Sequence, residues 1–255
     1  MILTVDIGNT NVTLGGFEGD DLVFTARLAT EPRHTADQYA VALDSVLRLK
    51  GVAPDRVTGA AVSSVVPTVG SAVTLALRTL CGVDAVVIGP GVKTGLNIRI
   101  ENPAQLGADL VAGCVGALGK YPMPCIIFDL GTATTAMVMD ASGAMIGGVI
   151  AAGPAMTRDA LATGTAQLPS VDLRAPARVI GANTVDCVQS GLIHGAAAML
   201  DGMAARIEEE LGQPATLVAT GGLAERIVAH CKREFLLDDR LLLDGLLQIY
   251  KRNSR

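Results

Sequence analysis

Hydrophobic positions repeat with two different periods along this chain, and the switches between them predict its elements. Ile2–Val5 is a short apolar run. A polar stretch, Asp6–Asn11, separates it from a second run, Val12–Phe17. Glu18-Gly19-Asp20-Asp21 reads as a turn and Leu22–Leu28 alternates, so residues 1–29 predict three antiparallel strands. From Ala36 to Leu49 the period becomes helical, with Tyr39, Leu43, Val46 and Leu47 on one stripe, Thr35 as N-cap and Lys50-Gly51 as the stop. Val57–Val62 reads as a buried strand, Pro67 opens a helix to about Leu80, and Ala85–Ile88 is another strand.

The connector 89–101 contains Gly89, Pro90, Gly91 and Gly95, and a domain boundary is expected there, giving lobes 1–101 and 102–255. Pro103–Leu118 predicts a helix weakened by Gly107, Gly113 and Gly116. The opening pattern then returns. Cys125–Phe128, Thr135–Met139 and Ala144–Ile150 predict three strands, and Met156–Ala162 a short helix. After an irregular stretch over 164–182, a long helix runs from about Val185 to Leu211, capped by Asn183 or Thr184. Ala215–Ala219 is a strand, Leu223–Ala229 a helix entered through Gly221-Gly222, Glu234–Leu237 a strand and Leu241–Tyr250 a helix. The order βββαβαβ(α) appears twice, so two α/β lobes are expected, each a mixed sheet covered by helices, with a ligand in the cleft between them.

The repeat is visible in the residues themselves. Val5-Asp6-Ile7-Gly8-Asn9-Thr10-Asn11-Val12-Thr13-Leu14 matches Phe128-Asp129-Leu130-Gly131-Thr132-Ala133-Thr134-Thr135-Ala136-Met137, 123 residues later. Each copy is an apolar run, then Asp-aliphatic-Gly, then a Thr/Asn cluster at a hairpin tip. Backbone N–H groups and hydroxyls at such a tip can cradle phosphate oxygens, and the carboxylate can hold the accompanying cation. One copy alone is equally explained by an ordinary hairpin turn; two copies suggest a clamp on one polyphosphate.

Composition narrows the rest. Half of the 255 residues are apolar, but aromatics are only 3% and Trp is absent, so the core must be Val, Leu, Ile and Ala. The net charge of −5, without a basic face, argues against nucleic acid as a main partner. Five scattered cysteines (Cys81, Cys114, Cys125, Cys187 and Cys231) form no Cys-x-x-Cys pair and read as buried reduced thiols. No apolar run approaches the roughly 18 residues of a membrane span. The N-terminus enters a strand without a basic leader, and a cytoplasmic setting is expected. His34, His194 and His230 are far apart and share no metal-ligand spacing. Met199 and Met203 are expected in the core or a dimer contact. Gly221-Gly222 fits either a tight strand-to-helix turn or an approach to adenine.

Together, Asp6-Ile7-Gly8-Asn9-Thr10, Gly107-Ala108-Asp109 and Asp129–Thr135 resemble the type III pantothenate kinases. Val65-Val66-Pro67, Gly147–Ile150, Thr165–Pro169 and Gly181–Thr184 extend the resemblance over residues 1 to about 250. It implies an α/β fold of two duplicated βββαβαβα lobes of the actin, sugar kinase and heat-shock chaperone ATPase type around a central cleft. It further implies transfer of the ATP γ-phosphate to the terminal hydroxyl of pantothenate, a divalent metal such as Mg2+, a monovalent cation (K+ or NH4+), and a homodimer. By position, Asp6, Ile7, Gly8, Asn9, Thr10, Asn11, Val12 and Thr13 would form the ATP phosphate loop, with Asp6 orienting the metal and Thr132 contacting phosphate. Asp109 would be the general base, Asp129 would bind the monovalent cation, and Gly107, Ala108, Asp109, Leu110 and Thr184 would line the pantothenate pocket.

Such chemistry asks for positioning, charge neutralisation and a base. Asp109, near a helix start, is expected to be held ionised by the helix dipole. Two positions depart from the family pattern: Leu110 stands where Arg is usual, and Ile100 where Tyr is frequent. Leu cannot form the bidentate bonds of Arg to a carboxylate, so Lys93, Arg99 and Arg158 become the basic residues to consider. A kinase of another small hydroxyl compound, or a non-catalytic nucleotide-binding relative, are the alternatives that Leu110 favours.

Overall fold

A computed structural model describes residues 1–254. In chain order the elements are β1 (Ile2–Ile7), β2 (Asn11–Glu18), β3 (Asp21–Ala29), α1 (Ala36–Leu49), β4 (Gly59–Ser64), α2 (Pro67–Cys81), β5 (Val86–Val87), α3 (Ala108–Ala117), β6 (Cys125–Leu130), β7 (Ala133–Met139), β8 (Met145–Ala152), α4 (Pro154–Gly164), α5 (Thr184–Leu211), β9 (Thr216–Thr220), α6 (Ala224–Val228), β10 (Leu236–Leu237) and α7 (Leu241–Asn253). Short 3-10 turns occupy Pro54–Arg56 and Pro103–Gln105. The second of these takes the first residues of the helix expected from Pro103, and α3 starts only after Gly107.

The chain divides into two compact units. One comprises Met1–Asn97, Glu101–Lys120 and the segment from Arg240 on; the other comprises Ile98–Ile100 and Tyr121–Asp239. This differs from the expected boundary at residue 101. Residues 102–120 and α7 belong with the first unit, while Ile98 bridges to Met145 and Arg99 N–H donates to the Met145 carbonyl at 2.8 Å, which ties 98–100 to the second.

The two sheets share one topology. The first has order β3-β2-β1-β4-β5 and the second β8-β7-β6-β9-β10. In both, the leading strand is flanked by an antiparallel hairpin partner and a parallel neighbour. The duplication inferred from two loops therefore extends to the whole strand order.

Strand alternation assigns the faces. In the first unit Leu3, Val5 and Ile7 are buried with Tyr39, Leu43 and Leu47 of α1 and Val69, Val73 and Leu77 of α2. Each such side chain contributes about 1.5–3 kcal/mol on removal from water. Ile2, Thr4 and Asp6 therefore project to the opposite face. There Phe17 packs with Leu243 and Leu247 of α7, beside Ile2, and α3 also meets β4. In the second unit Ile126, Phe128 and Leu130 pack against Ile193, Ala197, Leu200 and Ala204 of α5 and Ile227 of α6. Cys125, Ile127 and Asp129 point the other way.

Local signals set several ends. Thr35 closes a capping box on α1: its hydroxyl accepts from Gln38 N–H at 3.3 Å and Gln38 Oε1 accepts from Thr35 N–H at 2.8 Å. Asn183 Oδ1 accepts from Asp186 N–H at 2.9 Å and starts α5, which stops at Gly212 with φ of 69°. Among the described residues no helix is long and apolar enough to cross a membrane.

Candidate active site

The first tip follows β1. Gly8 N–H donates to the Asn11 carbonyl at 2.9 Å, and Thr30 anchors the turn from outside, its N–H donating to the Thr10 carbonyl at 2.9 Å and its hydroxyl to the Gly8 carbonyl at 2.7 Å. Asn9, Thr10 and Asn11 are exposed, while Ile7 and Val12 are buried in the core of α1 and α2. Of the eight residues expected to hold phosphate, these two therefore offer backbone groups only. Asp6 pairs with Thr13 across the hairpin and with Ser63 on the parallel strand β4. Directly paired residues share a face, so Asp6 is flanked by two hydroxyl side chains.

The second tip repeats this arrangement. Asp129 pairs with Thr135 across the hairpin and with Thr220 on β9. Gly131 N–H donates to the Ala133 carbonyl at 3.0 Å, and Gly153 N–H to the Thr132 carbonyl at 3.2 Å. A Cβ on Gly153 would collide with the carbonyls of Gly131 and Thr132, so only glycine lets the start of α4 lie against this loop. Gly221, at φ of 95°, abuts Asp129 in the same way: a side chain there would strike Asp129 Oδ1 and Leu130 N. The Gly221 position is thus accounted for by the turn and the carboxylate.

The hydroxyls flanking the carboxylates are the residues the linear reading missed. Thr13 is seven residues from Asp6, whereas Thr135 is six from Asp129, because the first tip is one residue longer. Ser63 and Thr220 stand at the ends of the parallel neighbours, signalled by Ser63-Ser64 after one apolar run and by Gly221-Gly222 after the other.

Two of these flanking hydroxyls, Ser63 Oγ and Thr135 Oγ1, are buried without a hydrogen-bond partner among the described residues, as is the neighbouring Thr134 Oγ1. An unsatisfied buried hydroxyl costs about 1–3 kcal/mol, so each tip holds polar capacity that the chain itself does not use. Carboxylate and hydroxyl oxygens are hard donors, suited to Mg2+ or K+ and to waters bridging a phosphate. No group of three or more His, Cys, Asp or Glu able to hold a metal occurs among the described residues.

Asp109 is the second residue of α3, in the first unit with Asp6. Its Oδ1 accepts from Leu110 N–H at 2.8 Å, folded back over Gly107, where a Cβ would collide with that same oxygen. Burial pushes the carboxyl above its ordinary value, against the opposing pull of backbone N–H groups of Leu110 and of Asp109 itself. The expected pull of the helix start toward the ionised form is outweighed by desolvation, so the group is more basic than a solvated Asp. Gly107, Ala108 and Leu110 are half-buried around it, whereas Thr184, first residue of α5, is exposed in the second unit.

The basic candidates differ in availability. Arg99 pairs with Asp140 at 3.3 Å, whereas Lys93 is held only through its backbone, whose N–H donates to Asn253 Oδ1 at 3.1 Å. Arg158 donates through Nε to Asp159 Oδ1 at 2.8 Å. His194 and His230, distant in sequence, meet edge-to-face with ring centroids 4.9 Å apart. No disulfide joins any of the five cysteines among the described residues; Cys114 and Cys125 are buried as expected, but Cys187 is exposed. Burial pushes the Cys125 thiol up to about 12.

A family model described as type III pantothenate kinase matches residues 2–206. The type III pantothenate kinase of Bifidobacterium animalis subsp. lactis is 40% identical over 253 residues, covering 99% of this chain and 100% of that protein. Among solved structures, component A of (R)-2-hydroxyglutaryl-CoA dehydratase from Acidaminococcus fermentans has a TM-score of 0.60 at 14% identity, with 100% of this chain and 99% of that one covered. The inorganic polyphosphate/ATP-glucomannokinase of Arthrobacter sp. strain KM has a TM-score of 0.51 at 14% identity over 99% of each chain. At such identities the structures show the fold alone, the duplicated fold of actin and the sugar kinases. The match over most of the chain, together with the aspartates of both tips and of α3, places the protein in the type III pantothenate kinase family.

Proposed function

We propose that the protein phosphorylates the terminal hydroxyl of pantothenate with ATP, the first step toward coenzyme A. The observation that carries this reading is Asp109, a half-buried carboxylate of raised basicity at the start of α3, in the same unit as the Asp6 tip. Asp109 accepts the hydroxyl proton as the oxygen attacks the γ-phosphorus and the bond from that phosphorus to the β,γ-bridging oxygen breaks, releasing ADP. The backbone N–H groups of Gly8–Thr13 and the side chains of Asn9, Thr10, Asn11 and Thr132 hold phosphate oxygens. Asp6, flanked by Thr13 and Ser63, orients a divalent ion; Asp129, flanked by Thr135 and Thr220, holds K+ or NH4+. The ions, when bound, neutralise charge on the phosphates. Gly107, Ala108 and Leu110, around Asp109 in the first unit, line the acceptor pocket.

Leu110 gives the acceptor carboxylate no guanidinium, which points to weaker binding of pantothenate than an Arg would provide. The same residue favours a second reading, a kinase of another small hydroxyl compound. Ile150, Val179 and Ile180, at 75%, 64% and 82% exposure, are apolar surface of the second unit that suits a homodimer. Free thiols and the absence of a spanning helix among the described residues agree with a cytoplasmic enzyme.

The test is a turnover assay with ATP, Mg2+, K+ and pantothenate. Phosphopantothenate is the expected product, and Asp109→Asn should slow its formation by about 10²–10⁴-fold in a folded protein. A wild type as inert as the variant toward pantothenate, but active on another alcohol, selects the second reading.

A further inference from the structure

The second unit gathers three guanidinium groups around one cavity. Arg158 of α4, Arg174 of the following loop and Arg226 of α6 line one open cavity of about 680 Å3, together with Asp172 and His230. None of Asp6–Thr13, Asp109, Asp129 or Thr132 is among its lining residues. In a chain of net charge −5, three guanidinium groups here face Asp172, and Asp159 takes one edge of Arg158. Even with both carboxylates counted, one positive charge is left over.

The arginines are not equally engaged. Arg226 reaches only the Leu173 carbonyl, at 3.5 Å, and neither it nor Arg174 forms an ion pair among the described residues. Two planar forks without a carboxylate partner therefore border the same space. His230, on the same wall, packs against His194, whose Nε2 is buried and has no hydrogen-bond partner among the described residues. The volume lies within the roughly 300–1,000 Å3 of small-molecule sites. Guanidinium forks match the spread oxygens of a phosphate, which accept two parallel N–H bonds each.

We infer that this cavity binds a phosphate-bearing anion, a phosphomonoester or a diphosphate, through Arg174 and Arg226. The site is distinct from the residues assigned to phosphoryl transfer and does not depend on which alcohol the protein phosphorylates.

Calorimetric titration with inorganic diphosphate tests it, using the full chain with excess Mg2+ and a saturating non-hydrolysable ATP analogue to fill the tips. Wild type should bind one further diphosphate per chain. The double variant Arg174→Ala/Arg226→Ala should bind it about tenfold or more weakly, while analogue affinity and melting temperature stay at wild-type values. Arg174→Lys/Arg226→Lys should retain part of the affinity. No uptake by the analogue-saturated wild type, or equal affinity in wild type and the alanine variant, overturns the proposal. So does a variant whose only change is its mass by light scattering, which would make this face a contact with a second copy.

Discussion

Gly116 of α3 and Gly245 of α7 bring two helix backbones into direct contact. A Cβ on Gly116 would collide with the Leu241 carbonyl, and one on Gly245 with the Ala112 carbonyl. Asp109 lies on the first turn of α3, so its position depends on a helix some 130 residues further along the chain.

Gly245→Ala should therefore destabilise the protein. Alanine favours a helix over glycine by up to about 1 kcal/mol, but the opposing carbonyl is backbone and cannot swing aside. Overpacking of this kind costs about 1–3 kcal/mol, and separating α3 from α7 would also lower kcat. Gly202→Ala on α5, with nothing within 4 Å, is the control and should raise the melting temperature slightly. Thermal melts and turnover of the two variants check the contrast.

Asp109→Asn should lower kcat by about 10²–10⁴-fold and yet raise the melting temperature at pH 7. The folded-state pKa of Asp109 lies above its unfolded value, so the folded protein binds this proton more tightly. Ionisation then costs folding energy at neutral pH, and the cost vanishes as pH falls below the unfolded value. The stability gain of the variant should shrink in the same acid range. Glu208 behaves with the opposite sign: bidentate bonds from Arg233, both 2.8 Å, lower its pKa, so its contribution is present at neutral pH and lost as pH falls through the folded value.

Ser63→Ala separates ligand binding from stability. If Ser63 were only a core residue, deleting an unsatisfied hydroxyl would be harmless or stabilising by about 1 kcal/mol. With Ser63 serving the nucleotide beside Asp6, the variant should melt no lower than wild type and show a several-fold higher KM for ATP. Thr135→Val, beside Asp129, should instead raise the potassium concentration needed for half-maximal rate. Steady-state kinetics at varied ATP and K+ distinguish the two.

Leu110→Arg should lower KM for pantothenate, by about 5- to 150-fold if the guanidinium reaches the acceptor carboxylate, with kcat little changed. An unaltered KM would mean that the carboxylate is recognised elsewhere or that the acceptor is another alcohol.

Much of the architecture was readable because local patterns and tertiary burial agree. The Leu3-Val5-Ile7 alternation, the Thr35 cap and the Asp-aliphatic-Gly tips each carry their own signal within a few residues. What escaped depends on pairs remote in sequence. The two-residue strands β5 and β10 are too short to show a period, and Ser63 and Thr220 matter only through their register with Asp6 and Asp129. The Gly116–Gly245 contact, which moves residues 102–120 and α7 into the first unit, leaves in the sequence only glycines that weaken each helix. The Asp109 environment was misjudged for a related reason: a helix start is visible locally, whereas desolvation by the surrounding fold is not.

The return of α7 to the sheet begun by β1 bears on how a ribosome delivers this molecule. Residues 121–239 emerge before 241–253, so the half of the protein that starts first must wait through the synthesis of the other to be completed. Until then the α7-facing side of its sheet, with Phe17 and the glycine notch of α3, lacks its cover, a vacancy that a growing chain at the exit tunnel would present to chaperones.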